Sequence, residues 1–289
     1  MSDQQNQEIW DEVIKPAKKM NIFSGEILAY KDLILLFVRR DFVKEFKQTI
    51  LGPVWFLIQP LFQTLVLFFV FGNLGKMGPT GIPQFSFYLG GTIIWTLFSE
   101  NLIKSSETFR ANSAIFGKVY FPRLVMPAST MITNFLKLGV QMLLFLVVYF
   151  YELSTSDLIQ PNYTICLVPI YFVLASLLGL GMGLIISALT TKYWDLRFLI
   201  QFSLQLVMFL STVITPYYVV ASKGMLMKFI IMANPVSSYI EAFRHAFLGN
   251  QGGWFYAPGL IYSVLVTFFV LIFGVYTFKK VERNFMDTI

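Results

Sequence analysis

Five stretches of this chain contain no Asp, Glu, Lys or Arg: Thr49–Gly75, Met77–Ser99, Leu158–Thr191, Phe198–Ser222 and Ala246–Phe278. Each is long enough to hold the roughly 20 apolar residues that carry a helix across a bilayer. A sixth, Leu124–Tyr151, is interrupted only by Lys137, whose long stem can carry its ammonium to an interface or a protein interior. The composition agrees with lipid as the solvent, since 56% of residues are hydrophobic and only 13% charged. A soluble domain needs about a quarter of its residues charged to cover its surface. The single His245 and single Cys166 exclude a structural zinc site and an internal disulfide.

Crossings are expected at about 53–72, 84–103, 124–150, 163–189, 197–216 and 257–278. Six crossings return both termini to one side. Of the 22 Lys and Arg residues, 8 precede the first span, 4 lie in 104–123, 2 in 190–197 and 3 in the tail. The opposite loops hold only Lys76, Lys223, Lys228 and Arg244. Because basic residues stay in the cytoplasm, both termini are expected there. The net charge of +6 therefore reports topology, and no nucleic-acid partner is expected. Residues 1–48 are polar, and their longest apolar run, Leu33–Val38, is too short for a signal peptide, so none is expected.

Residues 27–48 have the period of a surface helix, with Leu35, Val38, Phe42 and Phe46 on one face and Arg40, Asp41, Lys44, Lys47 and Gln48 on the other. Such a helix lies on the membrane, either as an anchor to anionic lipid or as part of a gate. Residues 217–254 are too long for a loop and too interrupted for a seventh span. The apolar run Met225–Ala233 stops at Asn234-Pro235, and Val236–Leu248 resumes with Glu241, Arg244 and His245. Two short helices broken at the proline are expected. They form either a re-entrant pair beside a path or cavity, or a hairpin on the outer surface.

Catalytic signatures are missing. The only Lys followed by Ser or Thr is Lys104-Ser105, with no preceding glycine, so the chain has no phosphate loop. No hydrolase motif or intramembrane carboxylate pair supplies a nucleophile or base. Glu241 shares a helix face with Arg244 and His245, as either a proton relay or a charge pair that makes a short buried helix tolerable. Gly179 and Gly183 form a G-x-x-x-G through which another helix can approach closely. Aromatic residues make up 17% of the chain. At span ends they anchor to the interface, and they also suit a glycan path, because pyranose faces stack on aromatic faces.

Ile50-Leu-Gly-Pro-Val-Trp55-Phe-Leu-Ile-Gln-Pro60-Leu resembles the opening signature of the type-2 ABC export permeases for polysaccharides. The likeness continues through Lys118-Val-Tyr-Phe-Pro122-Arg123 with Pro127, then Asp195-Leu-Arg197, Ile214-Thr-Pro216-Tyr, and Asn234-Pro235 with Arg244. It covers about residues 28–285. Trp194 departs from the pattern, since the family commonly has Arg-Asp at that point and here the arginine follows as Arg197.

The resemblance implies an all-α polytopic membrane protein with six transmembrane helices, an amphipathic interfacial helix within 1–49, and a transmembrane domain over 50–289. It implies a cytoplasmic (inner) membrane location and a homodimer enclosing a channel for a polyprenyl-linked polysaccharide, O-antigen first, then capsule or teichoic acid. Two separate ATPase subunits would supply ATP and magnesium, and this chain would hold no cofactor. Coupling to the ATPase falls to Glu107, Arg110, Phe116, Lys118, Tyr120 and Arg123 in loop 104–123. The glycan path is sought at Trp55, Phe56 and Tyr88, and the outer gate at Asn234, Pro235, Glu241 and Arg244. The competing readings are a proton-coupled secondary transporter or flippase of a lipid-linked glycan, and a membrane-bound glycosyltransferase.

Overall fold

A computed structural model describes residues 29–285 apart from 48, 77, 120, 191–194, 222, 223 and 251. Within the described residues the chain is helical, with no strand. The first helices are α1 (Lys31–Phe46), α2 (Trp55–Leu67), α3 (Gln84–Ser106), α4 (Thr108–Ala111), α5 (Ser113–Phe116) and α6 (Val125–Thr155). There follow α7 (Val168–Thr190), α8 (Leu196–Phe209), α9 (Tyr217–Ala221), α10 (Met225–Ala233), α11 (Pro235–Leu248) and α12 (Ala257–Phe285). A 3₁₀ turn, Gly52–Val54, precedes α2 with Pro53 in its first turn, where a missing N–H costs nothing. Pro60 lies inside α2, and the same rod continues as a π-helical segment, Phe68–Leu74.

The centre of the bundle is α7, made so by its glycines. A Cβ placed on Gly179 would run into the Phe98 carbonyl of α3, and one on Gly183 would come within 2.6 Å of the Leu102 carbonyl. On the opposite side, Gly181 faces the α12 backbone at Leu271, and Gly274 of α12 faces the Gly181 carbonyl. The expected close approach at Gly179 and Gly183 is thus present, and its partner is α3. The three helices run in one direction with α7 in the middle. Two others run the opposite way beside α3. Thr64 of α2 bonds Thr92 of α3 at 3.1 Å. Asn134 of α6 donates to Asn101 of α3 at 3.2 Å, while near the other end of α6 Glu152 accepts from Ser86.

One end of the bundle, here the lower end, carries α1 and a second apolar cluster. Ile34, Phe37 and Val38 pack there with Phe109, Phe116, Phe121 and Phe278. Val38 of the expected face turns inward beside Ile34 and Phe37, and Phe42 lies 5.7 Å from Phe56 of α2, while Leu35 is 60% exposed. The run Leu33–Val38 gives the helix apolar residues on more than one side. The side that packs is the one that also brings Glu45 to Lys104 and to the buried Lys137. The side chain of Phe46 lies outside those described.

Among the described residues, four helices are long and apolar enough to cross a membrane: Gly52–Leu74, Val125–Thr155, Tyr163–Thr190 and Ala257–Glu282. The chain is a multi-pass membrane protein, and its outward Phe62, Phe69, Phe202 and Phe269 are what lipid requires. α3 has the length of a crossing, 23 residues, but carries Glu100 and Lys104 and buries Ser86, Thr92 and Asn101. A helix enclosed by protein need not be apolar. α8 has only 14 residues, about 21 Å at 1.5 Å per residue, short of a hydrocarbon core of about 30 Å.

Candidate functional site

At the upper end, α11 is almost wholly enclosed, every residue from Pro235 to Leu248 except Ser238 being buried. Its start is chemical. Asn234 caps the helix, its side chain accepting from the Val236 N–H at 3.1 Å, and Pro235 takes the first helical position. Arg244, fully buried, then projects toward α3 and the segment after α8. Its Nε donates to the Phe87 carbonyl at 3.0 Å, and Nη1 and Nη2 donate to the carbonyls of Thr212 and Val213 at 2.5 and 2.9 Å. The guanidinium lies 3.4 Å above the Phe87 ring. Glu241 stands 3.5 Å from Nη1 and accepts the Trp254 N–H at 3.0 Å. The carbonyls of Thr212 and Val213 lie beyond the end of α8 at Phe209, and Pro216 has no N–H to offer the first of them, so the planar, five-donor side chain of Arg244 supplies their partner.

The same helix is tied to the loop above it. His245 Nε2 lies 3.0 Å from the Asn162 side-chain amide, and the Asn162 N–H donates to the Ala246 carbonyl at 2.9 Å. Arg244 and Glu241 thus hold backbone groups, and His245 meets the Asn162 side chain. Nearby, Trp254 is sandwiched between Tyr217 and Tyr256, with ring centroids 4.0 and 4.6 Å away.

At the lower end, four charges from three helices meet. Lys137 of α6 pairs with Glu45 of α1 and, at 3.1 Å, with Glu100 of α3. Lys104 bonds Glu45 at 2.6 Å, lies 3.4 Å from Glu100 and donates to Asn134 at 3.3 Å. Phe56 of α2 lies 5.3 Å from the Lys137 ammonium. Burial raises the Glu45 carboxyl, but the Lys104 and Lys137 ammoniums outweigh that and hold it below its ordinary value. Lys137, the one charge inside an otherwise apolar run, thereby has its partners.

Below this quartet, the expected coupling residues divide into anchors and surface. Phe116 and Arg123 are buried. Phe109 stacks on Phe278 of α12 at 4.4 Å, and Phe116 meets Phe121 at 5.7 Å. The Arg123 guanidinium lies 5.2 Å from the Phe116 ring, and its backbone N–H donates to Glu282 at 3.3 Å. Glu107 pairs with Arg197 at 2.7 Å, which supplies the local partner that the departure at Trp194 left open; Trp194 itself lies outside the described residues. Arg110 and Lys118 are exposed, and Tyr120 lies outside the described residues. Of the expected glycan-path residues, Trp55 is exposed and Phe56 half-buried. Tyr88 is fully buried, beside Phe87, and faces no open space.

Sequence reasoning missed Glu45, Lys104 and Glu282. On a helix expected to lie at the membrane surface, Glu45 needs no partner. Only the matching of lone charges across helices, Glu45 and Glu100 against Lys104 and Lys137, could have singled it out.

A bundle of long apolar helices with a charged cluster at one end and the buried, arginine-clamped α11 at the other defines a polytopic membrane protein. The chain belongs to the ABC-2 type transporter family, whose match spans residues 32–248. It is similar to two proteins of Klebsiella pneumoniae named O-antigen export system permease protein RfbA. One is 25% identical over 261 residues, covering 89% of this chain and 94% of the relative. The other is 23% identical over 260 residues, with the same coverage of 89% and 94%. A protein of the same name from Myxococcus xanthus is 22% identical over 227 residues, covering 78% of this chain and 84% of the relative.

Proposed function

We propose that the chain is the permease subunit of an ATP-driven exporter that moves a lipid-linked polysaccharide, of the O-antigen type, across the cytoplasmic membrane. The observation that carries this reading is the family match over residues 32–248, together with relatives aligned over nearly their whole length whose names specify O-antigen export. Two copies enclose the path, and two separate ATPase subunits dock below. The exposed Arg110 and Lys118 offer the docking surface, while buried Phe109, Phe116 and Arg123 tie that surface to α12. Both termini are cytoplasmic, in line with the 17 of 22 basic residues on that side. Residues 1–49 with α1 form the interfacial segment, and 50–289 the transmembrane domain.

Six crossings follow if α3 and α8 count as spans, α8 completed by the residues up to Pro216. α10 and α11 form the re-entrant pair at the outer gate. The support is the burial of nearly all of α11, since a helix lying on the surface leaves one face open; α10 keeps Met225 and Phe229 exposed. A proton-coupled transporter needs a carboxylate free to change charge, whereas Glu241 is held by Arg244 and the Trp254 N–H, and Glu100 lies between two lysines.

Deleting the gene in its own host should leave lipid-linked glycan accumulated in the cytoplasm and the cell surface bare. Glycan that still reaches the surface refutes export, and glycan that is never made favours an enzyme. Purified alone, the chain should hydrolyse no ATP. Co-expressed with its ATPase it should form a two-plus-two complex in which Lys118→Glu or Tyr120→Ala uncouples hydrolysis from export.

A further inference from the structure

A buried ion pair adds little to stability over apolar residues of the same volume, so a charge cluster kept inside a membrane protein asks for a further reason. The lower quartet is built unevenly. Glu45 uses both carboxylate oxygens, Oε1 bonding the Lys104 ammonium at 2.6 Å and Oε2 the Lys137 ammonium. Glu100 meets the same two lysines through Oε2 alone, at 3.4 and 3.1 Å. Two ammoniums on two oxygens of one anion is also how lysines hold a phosphoryl group. Glu45 therefore occupies the seat as an internal anion. It stands on the surface helix α1, as the last residue but one, whereas Lys104 and Lys137 belong to the long helices α3 and α6. The seat opens to one side, since Lys137 keeps only 7% of its exposure while Lys104 keeps 32%. Phe56, in the first turn of α2, lies 5.3 Å from the Lys137 ammonium. The seat is thus at the depth where the crossing Gly52–Leu74 begins and lipid headgroups meet hydrocarbon.

We propose that Lys104 and Lys137 form a binding seat for the phosphoryl group, phosphate or diphosphate, that links a glycan to its lipid, and that Glu45 fills the seat until this anion displaces it. With Glu45 turned away, two ammoniums stand against the single carboxylate of Glu100, and a diphosphate brings more negative charge than the carboxylate it replaces. Exchange of one anion for another leaves no buried ammonium without a partner. Asn134, which accepts from Lys104 at 3.3 Å and donates to Asn101, holds that ammonium in position during the exchange. The inference rests on the export reading and deepens it, naming the group of the substrate that is recognised and the residues that recognise it. Bilayer phospholipids and free diphosphate share the same chemistry, and the experiment separates the three sources.

The test uses the full chain co-purified with its ATPase in dodecyl maltoside, a detergent without phosphate. The probe is tritiated geranylgeranyl diphosphate, and bound label is read by scintillation proximity. The wild-type complex should bind it saturably. Glu45→Gln, which removes the internal competitor, should bind several-fold more tightly, a gain that a damaged fold cannot mimic. Lys104→Met should bind about tenfold or more weakly, the loss expected for one charge-assisted bond, and Lys104→Arg should keep most of the affinity. Hydrogen exchange in α1 of the wild type should quicken as the probe binds. Unlabelled inorganic diphosphate and phosphatidylglycerol should each compete at least tenfold more weakly than unlabelled geranylgeranyl diphosphate. Equal competition by phosphatidylglycerol would assign the seat to bilayer lipid, and equal competition by inorganic diphosphate to a free anion. Absent binding, an unchanged affinity in Glu45→Gln, or an unchanged affinity in Lys104→Met would remove the seat altogether. Each of these overturns the proposal. Gene deletion separates it from the export reading. A deletion that leaves surface glycan unchanged refutes export whatever the probe does, whereas an empty surface with no binding refutes the seat alone.

Discussion

Replacing Lys137 by methionine keeps the length of the side chain and removes the charge at the centre of the lower quartet. At an effective dielectric of 20, its attraction to Glu100 across 3.1 Å amounts to about 5 kcal/mol before desolvation, which cancels much of it. What the substitution leaves behind matters more. Glu45 and Glu100 would then share the single ammonium of Lys104. Removing one partner of a fully buried pair costs about 3–5 kcal/mol. Here the side chains of Glu45 and Glu100 keep 29% and 25% of their exposure, so water can recover part of the loss. A net destabilisation of about 2 kcal/mol follows. In detergent, a chain of this size should then melt about 5 °C lower, taking 2–4 °C per kcal/mol. Lys104→Met, at a more exposed site, should cost about half as much. The loss should be local, with faster hydrogen exchange in α1 than in α7. Coupling between Glu45→Gln and Lys137→Met in a double-mutant cycle should reach about 1 kcal/mol. Strictly additive single mutants, or an unchanged melt for Lys137→Met, would show that α1 is held by its apolar face alone.

Acid should loosen the same contact. Because the Glu45 carboxyl titrates below its ordinary value when folded, its contribution is complete above that ordinary value, near pH 4.5, and disappears as pH falls through the folded value. Melting temperature should thus be level from pH 6 to 8 in this respect and drop below about pH 4, a drop that Glu45→Gln reduces. Arg244→Met should be far more damaging, since three carbonyls and Glu241 lose their donor at once; about 4 kcal/mol or more is expected, read as lost membrane abundance, and Arg244→Lys should rescue little because an ammonium lacks the planar fork. Gly183→Val should force α3 and α7 apart and cost about 3 kcal/mol by thermal melt, whereas Gly139→Ala, with nothing within 4 Å of the added carbon, should be neutral.

The long charge-free runs made the helices legible, and their ends fell close to Val125, Tyr163, Thr190 and Ala257. The break at Asn234-Pro235 was legible for the same reason, because cap and proline chemistry are local. What depended on distance in sequence was not. The carbonyls of Thr212 and Val213, beyond the end of α8, find their donor in Arg244 on another helix, a partner that no local pattern announces. Periodicity reported which sides of α1 are apolar, but not that the side packed on protein also carries Glu45 to lysines of α3 and α6. In the same way the resemblance supplied a set of coupling residues without dividing it. Phe116 and Arg123 turned inward to an aromatic cluster whose other half, Phe278, lies in the last helix.

The glycines of α7 carry a mechanical consequence. Backbones in contact on both sides leave α3, α7 and α12 no clearance to slide, so the three form a stiff slab. α4 and α5 continue directly from α3 and are pinned to α12 by the stacking of Phe109 on Phe278, so a push delivered at that junction displaces the slab as one piece. Compliance resides in α8, which buries nothing, and in the exposed face of α2. Force applied from below can therefore do work only where the stiff part moves against the compliant one, along the boundary of α3 with α2 and α8.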